Sequence, residues 1–215
     1  MTSPHLWLPY SQMQTAPTPQ TVTRTEGVYI YLADGRRLVD GTSSWWTACH
    51  GYNHPHIAAA LAAQLEQLPH VMLGGLVHEP VLDLSRRLAG LLPGDLDYVF
   101  FSESGSVAVE IALKMAVQFW INHGVQGRTR FLSFRHAYHG DTFAAMSVCD
   151  PDKGMHRLLS GVLAEQFVVK LPRNADEFAE FERVVAGQAG GLAAVILEPL
   201  VQAAAGMKFH EPEDL

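Results

Sequence analysis

The sequence is poor in cysteine, in basic residues and in long apolar runs. Its two cysteines, Cys49 and Cys149, cannot form a disulfide framework and lack the spacing of zinc ligands. Lys and Arg number 15 against 22 Asp and Glu, a net charge of -7 that excludes the basic character typical of nucleic-acid-binding proteins. No apolar run reaches the length of a membrane span, and no metal-site motif is present. We therefore expect a cytoplasmic protein that binds no nucleic acid, no membrane and no metal.

What is present is an ordinary globular composition with a regular alternation of elements. Hydrophobic residues make up 48% of the chain, enough for a sizeable core. From residue 95 onward, apolar periodicity predicts strands at 98–101, 130–134, 166–170 and 192–197, and helices at 107–122, 141–147 and 175–188. Such alternation predicts an α/β fold with a mainly parallel sheet covered by helices on both faces.

The first part of the chain has a different pattern. Asp34-Gly35 predicts a hairpin turn after a strand rich in β-formers, and helices are predicted at 55–68 and 80–92. We expect residues 1–94 to form an N-terminal arm and small lobe. Residues 95–215 are then the α/β domain, which looks incomplete because it ends soon after a central-looking strand.

The turn formed by Ser104, Gly105 and Ser106 is the most informative feature. It lies between the predicted strand 98–101 and the predicted helix 107–122, and a helix start favours phosphate through its free N–H groups and its dipole. Taken alone, the same residues also fit an ordinary helix cap. Further polar segments follow two other predicted strands, at 136–141 and 198–202. Ligands bind beyond the carboxyl ends of parallel strands, so we expect these segments to lie at one edge of the sheet.

Eight motifs occur together in one order along almost the whole chain. They are Asp34–Gly41, Ser43–Trp46, His50–Pro55, His70–Met72, Ser104–Glu110, Tyr138–Thr142, Met146–Pro151 and Ile196–Pro199. In this order they resemble the class III, fold-type I aminotransferases, which use pyridoxal 5'-phosphate. The resemblance implies that fold and a homodimer.

The resemblance also implies roles for single residues in cofactor binding. Ser104, Gly105 and Ser106 would hold the phosphate, Tyr138 would stack on the pyridine ring, and Glu198 would lie near that ring. From the residues alone, Tyr138 fits a core aromatic equally well, and Glu198 fits a solvated strand end.

The aromatic residues Tyr10, Trp45 and Trp46 resemble one branch of the family more narrowly. In that branch they would line the substrate pocket, where the amino group passes from S-adenosylmethionine to 8-amino-7-oxononanoate, giving 7,8-diaminononanoate for biotin. By composition alone, adjacent tryptophans are equally a core or interface feature. Two alternatives stay open: a class III aminotransferase acting on ω-amino acids or diamines, and a non-catalytic protein on a degenerate aminotransferase fold. A third, a nucleotide-binding α/β domain, is disfavoured because the sequence lacks the GxGxxG and GxxxxGK(S/T) motifs.

The catalytic residues of the family do not occur in this sequence. Its four lysines, Lys114, Lys153, Lys170 and Lys208, do not match the motif of the Schiff-base lysine, and no aspartate matches the one at the ring nitrogen. We therefore assign no catalytic residue, and we expect that lysine and that aspartate to lie beyond residue 215. On this interpretation the chain is the front part of a longer protein and is inactive by itself.

Overall fold

The computed structural model describes residues 5–154 and 156–212. The chain divides into two compact units, one ending at Leu96 and the other beginning at Asp97. The predicted domains 1–94 and 95–215 include residues 1–4 and 213–215, which lie outside the described residues. That domain assignment stays a prediction.

The first unit contains a three-stranded antiparallel sheet in the order β1-β2-β3. The strands are β1 (Val22–Glu26), β2 (Tyr29–Leu32) and β3 (Arg37–Val39). The predicted hairpin at Asp34-Gly35 is confirmed, and Gly35 has a φ of 88°, a conformation that glycine adopts without steric cost. Strand β1 was not predicted, although the β-branched residues of this segment favour a strand.

Two helices follow in this unit, α1 (Pro55–Gln67) and α2 (Glu79–Ala89). Both carry a proline in the first turn, where the missing N–H has no intrahelical partner to lose. The start of α2 is capped by His78, whose Nδ1 accepts a hydrogen bond from the Val81 N–H at 3.3 Å. Helix α2 ends three residues before its predicted end because Gly90, a weak helix former, follows Ala89.

The second unit is built on a parallel sheet in the order β5-β4-β6. Its central strand β4 (Arg130–Phe134) pairs with β5 (Phe167–Val169) and β6 (Leu192–Val195). The other elements are the helices α3 (Gly105–Asn122), α4 (Phe143–Ser147) and α5 (Ala175–Gln188), a 3-10 turn (Arg157–Leu159), and a hairpin of β7 (Val201–Gln202) and β8 (Lys208–Phe209). The predicted parallel α/β sheet is confirmed. Within the described part of the chain, no helix is long and apolar enough to cross a membrane.

Helices cover both faces of this sheet because the side chains of β4 alternate. Phe131 packs with Leu113 of α3 and with Val148. Leu132 points to the opposite face, where its cluster includes Phe181 of α5. The core of the unit therefore lies on the two sides of one central strand.

The predicted strand 98–101 is wrong. This segment forms no ladder with any described residue, and the side chain of Tyr98 is 97% exposed. An apolar run becomes a strand only when another strand pairs with its N–H and C=O groups, which periodicity does not reveal. The turn at Ser104 is therefore reached from irregular chain, and not from a strand end.

The central strand offers a direct test of the core. We expect Leu132→Ala to lower the free energy of unfolding by about 2–5 kcal/mol, because Leu132 is fully buried and its loss leaves a cavity. Urea denaturation followed by circular dichroism measures this. Leu158→Ala is the matched control, since Leu158 is 91% exposed and should change stability by less than about 0.5 kcal/mol. Equal effects of the two substitutions would contradict the assignment of the core.

Candidate functional site

The start of α3 presents free backbone donors. Ser104 caps the helix, and its Oγ accepts a hydrogen bond from the Val107 N–H at 3.2 Å. Among the described residues, no group accepts a hydrogen bond from the N–H groups of Gly105 and Ser106. A Cβ added to Gly105 would meet no atom within 4 Å, so the space beside these donors is open. This geometry suits a bound phosphate.

A close contact joins this helix start to the loop after β4. The Asp141 N–H donates to the Ser106 Oγ at 3.0 Å. Gly140 has a φ of 130°, and a Cβ there would lie 2.7 Å from the Ser106 Oγ and 2.8 Å from the Ser106 Cα. Only glycine permits this approach. Because the Ser106 hydroxyl acts as acceptor here, its hydrogen is available for donation to a ligand.

Tyr138 lies on the same loop and is held at both its ring and its hydroxyl. Its hydroxyl donates to the Asp141 Oδ2 at 2.8 Å, and its ring stacks on the ring of His156 with centroids 6.1 Å apart. The neighbouring His139 is buried, and burial lowers the pKa of its imidazole to about 4. His139 is therefore neutral at pH 7 and helps to pack the loop. These contacts set the orientation of the Tyr138 ring.

Glu198 follows β6 and fixes the same loop from the other side. One carboxylate oxygen accepts the Tyr138 N–H at 2.9 Å, and the other accepts the Ala203 N–H at 3.2 Å. The structure therefore brings Glu198 to Tyr138 across 60 positions of sequence. In this arrangement Glu198 positions the Tyr138 backbone.

Asp150 is an organising residue that the sequence reasoning missed. Its buried carboxylate accepts the N–H groups of His136 at 2.7 Å, Asp152 at 2.9 Å and Lys153 at 3.2 Å. Burial raises the pKa of Asp150, but these donors and the nearby Arg135 outweigh it, and the pKa lies below its ordinary value. An aspartate directly before a proline is a common turn signal, which could have pointed to this role.

Glu110 was also missed as a structural link. Its carboxylate accepts the Thr142 hydroxyl at 2.6 Å and the Ala145 N–H at 3.2 Å, so it ties α3 to the start of α4. Its spacing after Ser106 places it one turn further along the helix, on the side of the loop. The loop is thus fixed at its beginning, by Asp150, and at its end, by Glu110.

The predicted substrate residues lie in the first unit, on a tightly turned loop. Asp40 organises this loop by accepting the N–H groups of Thr42 at 3.1 Å and Ser44 at 2.7 Å. Hydrogen bonds from the Tyr52 hydroxyl and from Thr42 lower the pKa of Asp40 to about 2. The four residues 43–46 all have φ between 48° and 69°, a left-handed backbone conformation that residues other than glycine rarely adopt.

The structure brings two of these three aromatic residues into contact. Tyr10 and Trp45 pack edge to face with ring centroids 5.9 Å apart, and Trp46 is the next residue in the chain. All three are more than half exposed, which makes the aromatic surface accessible within this unit. The assignment of Tyr10, Trp45 and Trp46 to a substrate pocket stays a prediction.

Comparison with known proteins points to one family. The family model for class-III aminotransferases matches residues 10–215. The chain is 44% identical over 220 residues to adenosylmethionine-8-amino-7-oxononanoate aminotransferase of Mycobacterium leprae, covering 98% of the chain. It is 42% identical to the protein of that name from a Buchnera aphidicola strain, covering 97% of the chain. In each case the chain spans 50% of the length of the relative.

Solved structures agree with the sequence comparisons. The protein of the same name from Methanocaldococcus jannaschii matches with a TM-score of 0.86 and 32% identity, over 95% of this chain and 47% of that one. An amine transaminase from an uncultivated Pseudomonas species, in its PLP-bound form, matches with a TM-score of 0.81 and 34% identity. The match covers 93% of this chain and 49% of that one.

The close approach of Gly140 to Ser106 can be tested by adding one methyl group. We expect Gly140→Ala to weaken the binding of pyridoxal phosphate by at least about tenfold, because the new Cβ must push Ser106 and the helix start away. Fluorescence titration of the intact protein measures this affinity. Gly187→Ala is the control, since a Cβ there meets no atom within 4 Å and its φ is not positive. Unchanged affinity in Gly140→Ala would show that the contact does not shape the site.

The lowered pKa of Asp150 predicts a pH-dependent contribution to stability. A carboxyl group whose folded pKa is depressed stabilises the fold above its unfolded pKa of about 3.9, and this stabilisation is lost as the pH falls through the folded pKa. At pH 7 we expect Asp150→Asn to lower the free energy of unfolding by about 2 kcal/mol. The difference from the parent protein should shrink below about pH 4. Urea denaturation between pH 3 and pH 7 measures it.

The control for this series is Asp152→Asn. The Asp152 side chain is 67% exposed and pairs with Arg135 at the surface, so its loss should change the free energy of unfolding by less than about 1 kcal/mol. A constant difference between Asp150→Asn and the parent protein at every pH would show that the charge of Asp150 is not the cause.

Proposed function

The chain belongs to the class-III aminotransferases of fold type I, whose cofactor is pyridoxal 5'-phosphate, and from this premise we propose its reaction. The protein would transfer an amino group from S-adenosylmethionine to 8-amino-7-oxononanoate, giving 7,8-diaminononanoate for biotin synthesis. The names of its relatives at 42% and 44% identity support this choice of substrates. The chain spans about half the length of those relatives, so the proposal concerns the protein to which these residues contribute.

The observation that carries the proposal is the pair of free N–H groups at the start of α3, beside the open space at Gly105. These two donors, with the Ser106 hydroxyl, would bind the three oxygens of the cofactor phosphate. The positive end of the α3 dipole adds to the attraction. Because Gly140 closes on Ser106 without a side chain, the donors stay fixed before the phosphate arrives, and little ordering is needed on binding.

Tyr138 would cover one face of the pyridine ring. Its hydroxyl is held by Asp141, its ring by His156 and its backbone N–H by Glu198. When bound, pyridoxal phosphate supplies the aldehyde that takes up the amino group and a ring that withdraws electrons from the reacting carbon. The role of Tyr138 is to keep that ring in one orientation, since a flat aromatic face limits its movement.

The aromatic surface of Tyr10, Trp45 and Trp46 would contact the methylene chain of 8-amino-7-oxononanoate. Each methylene group removed from water contributes about 0.8 kcal/mol to binding. The loop of residues 43–46 supports this role, because bulky residues held in a left-handed conformation are typical of sites where backbone strain serves binding.

We also propose that the protein acts as a homodimer in the cytoplasm. The exposed apolar stretch 71–76, with Met72 64% exposed, offers a surface that a second copy could cover. The cysteines Cys49 and Cys149 are both unpaired in the structure, as is usual in a reducing compartment. Light scattering after gel filtration would measure the mass of the assembly.

A donor assay tests the proposed reaction. The intact protein is incubated with 8-amino-7-oxononanoate and with S-adenosylmethionine, β-alanine or putrescine as the amino donor. We expect 7,8-diaminononanoate only with S-adenosylmethionine. Use of β-alanine or putrescine instead would favour the alternative acting on ω-amino acids or diamines. Failure to bind pyridoxal phosphate would favour the non-catalytic alternative.

The same assay tests the aromatic surface. We expect Trp45→Ala to raise the KM for 8-amino-7-oxononanoate about tenfold, since two methylene groups lose their contact, and to change the KM for the donor less. Val39→Ala is the control in the same unit, because Val39 is exposed on β3. Equal changes for both substrates would contradict the proposed contact.

A further inference from the structure

A cleft of about 650 Å³ lies at the carboxyl ends of β4 and β5, and its wall includes β8. It falls within the usual size range of small-molecule sites. Ser104, Gly105 and Ser106 do not line it, so it differs from the phosphate site proposed at α3. A smaller neighbouring cavity of about 320 Å³ shares Lys153 and Lys208 with it and is bordered by Tyr138.

Positive charge is concentrated in this cleft. Three of the four lysines of the chain line it, Lys153, Lys170 and Lys208, together with Arg135 and Arg173. The ammonium groups of these lysines make no ion pair or hydrogen bond with any described residue. In a chain with a net charge of -7, this clustering is contrary to the overall composition. A concave surface lined by unpaired cations attracts anions.

The acidic residues of the cleft are already engaged. Asp150 accepts three backbone N–H groups, as described above, and Asp152 forms an ion pair with Arg135. Glu177 accepts the Arg173 N–H at 2.9 Å, in the first turn of α5. None of these three carboxylates forms an ion pair with a lysine, and the five Lys and Arg side chains of the cleft outnumber them.

His136 reports the charge inside the cleft. Burial lowers the pKa of its imidazole, and Lys208, Lys153 and Arg135 lower it further, while Asp150 opposes them. Lys208 lies on β8, Lys153 follows Asp150, and Arg135 follows β4. The positive charges of three separate segments therefore lie close to His136, in agreement with their shared position in the lining of the cleft.

His210 provides an independent observation. It lines the cleft, it is 7% exposed, and both its ring nitrogens are buried without a hydrogen-bond partner among the described residues. Its backbone N–H donates to the Leu200 C=O at 2.8 Å, which fixes its position. An imidazole ring always carries at least one N–H, and a buried donor without an acceptor is unfavourable. An anionic oxygen that displaced the atoms covering one of these nitrogens would supply the missing acceptor.

We propose that this cleft binds a small molecule that carries phosphate groups, at a site separate from the one proposed at α3. Lys153, Lys170 and Lys208 contact the phosphate oxygens, and His210 donates its ring N–H to one of them. A lysine ammonium group binds phosphate as a point charge and does not need the planar, two-pronged geometry of arginine. Three lysines on separate segments can therefore contact one phosphate-bearing ligand. The inference is independent of the proposed reaction, since the catalytic site need not be active for this site to bind.

Titration calorimetry with inorganic pyrophosphate tests the proposal. The intact protein is first loaded with pyridoxal phosphate and freed of the excess, so that the site at α3 is filled. We expect wild-type protein to bind pyrophosphate, with an affinity that falls as salt is added. The double substitution Lys153→Gln and Lys208→Gln should weaken binding at least about tenfold. Lys114→Gln removes a lysine that lies on α3, outside the cleft, and should leave the affinity unchanged.

A second variant separates the ligand from the fold. His210→Phe fills nearly the same space without a polar atom, so it should lower the affinity for pyrophosphate severalfold and leave the thermal midpoint unchanged or higher. Absence of pyrophosphate binding by the wild-type protein would overturn the proposal. An equal loss of affinity in Lys114→Gln and in the double variant would also overturn it.

Discussion

The contact between Ser106 and the loop at Gly140 is the constraint on which the candidate site depends. It requires that α3 begin next to the end of β4, and it can form only because residue 140 lacks a side chain. The Asp141 N–H then meets the Ser106 hydroxyl, and this leaves the two N–H groups of the helix start directed at open space. The central strand β4 makes the contact possible, because its two buried faces fix where α3 and the loop can lie.

Carboxylates around this loop act as fixed acceptors of backbone N–H groups. Asp150 holds the beginning of the loop, Glu110 holds its end, and Glu198 holds Tyr138 in its middle. Each lies on a different part of the chain, so the loop is fixed from three directions and not by its own sequence. Such an arrangement is suited to a site in which an aromatic ring must keep one orientation, since the backbone that carries it has little freedom.

The distribution of charge separates two regions of the second unit. The start of α3 offers uncharged N–H donors and a helix dipole, which suit a single phosphate group. The cleft beyond β4 and β5 offers lysines whose ammonium groups have no described partner, together with the buried ring of His210. The net charge of -7 gives no sign of this second region, because most acidic residues lie outside the cleft. The three acidic residues within it accept backbone N–H groups or pair with Arg135.

The sequence by itself determined the parts that depend on near neighbours. Strand 130–134 and helix 175–188 have the predicted bounds, because periodicity and caps such as Asn174 act within a few residues. Segment 98–101 failed for the opposite reason, since pairing depends on a distant partner. Only the tertiary structure decided that Ser106 meets a loop 35 positions away and that Glu198 reaches Tyr138 across 60. Contacts at such separations follow from how the elements pack, and no local pattern encodes them.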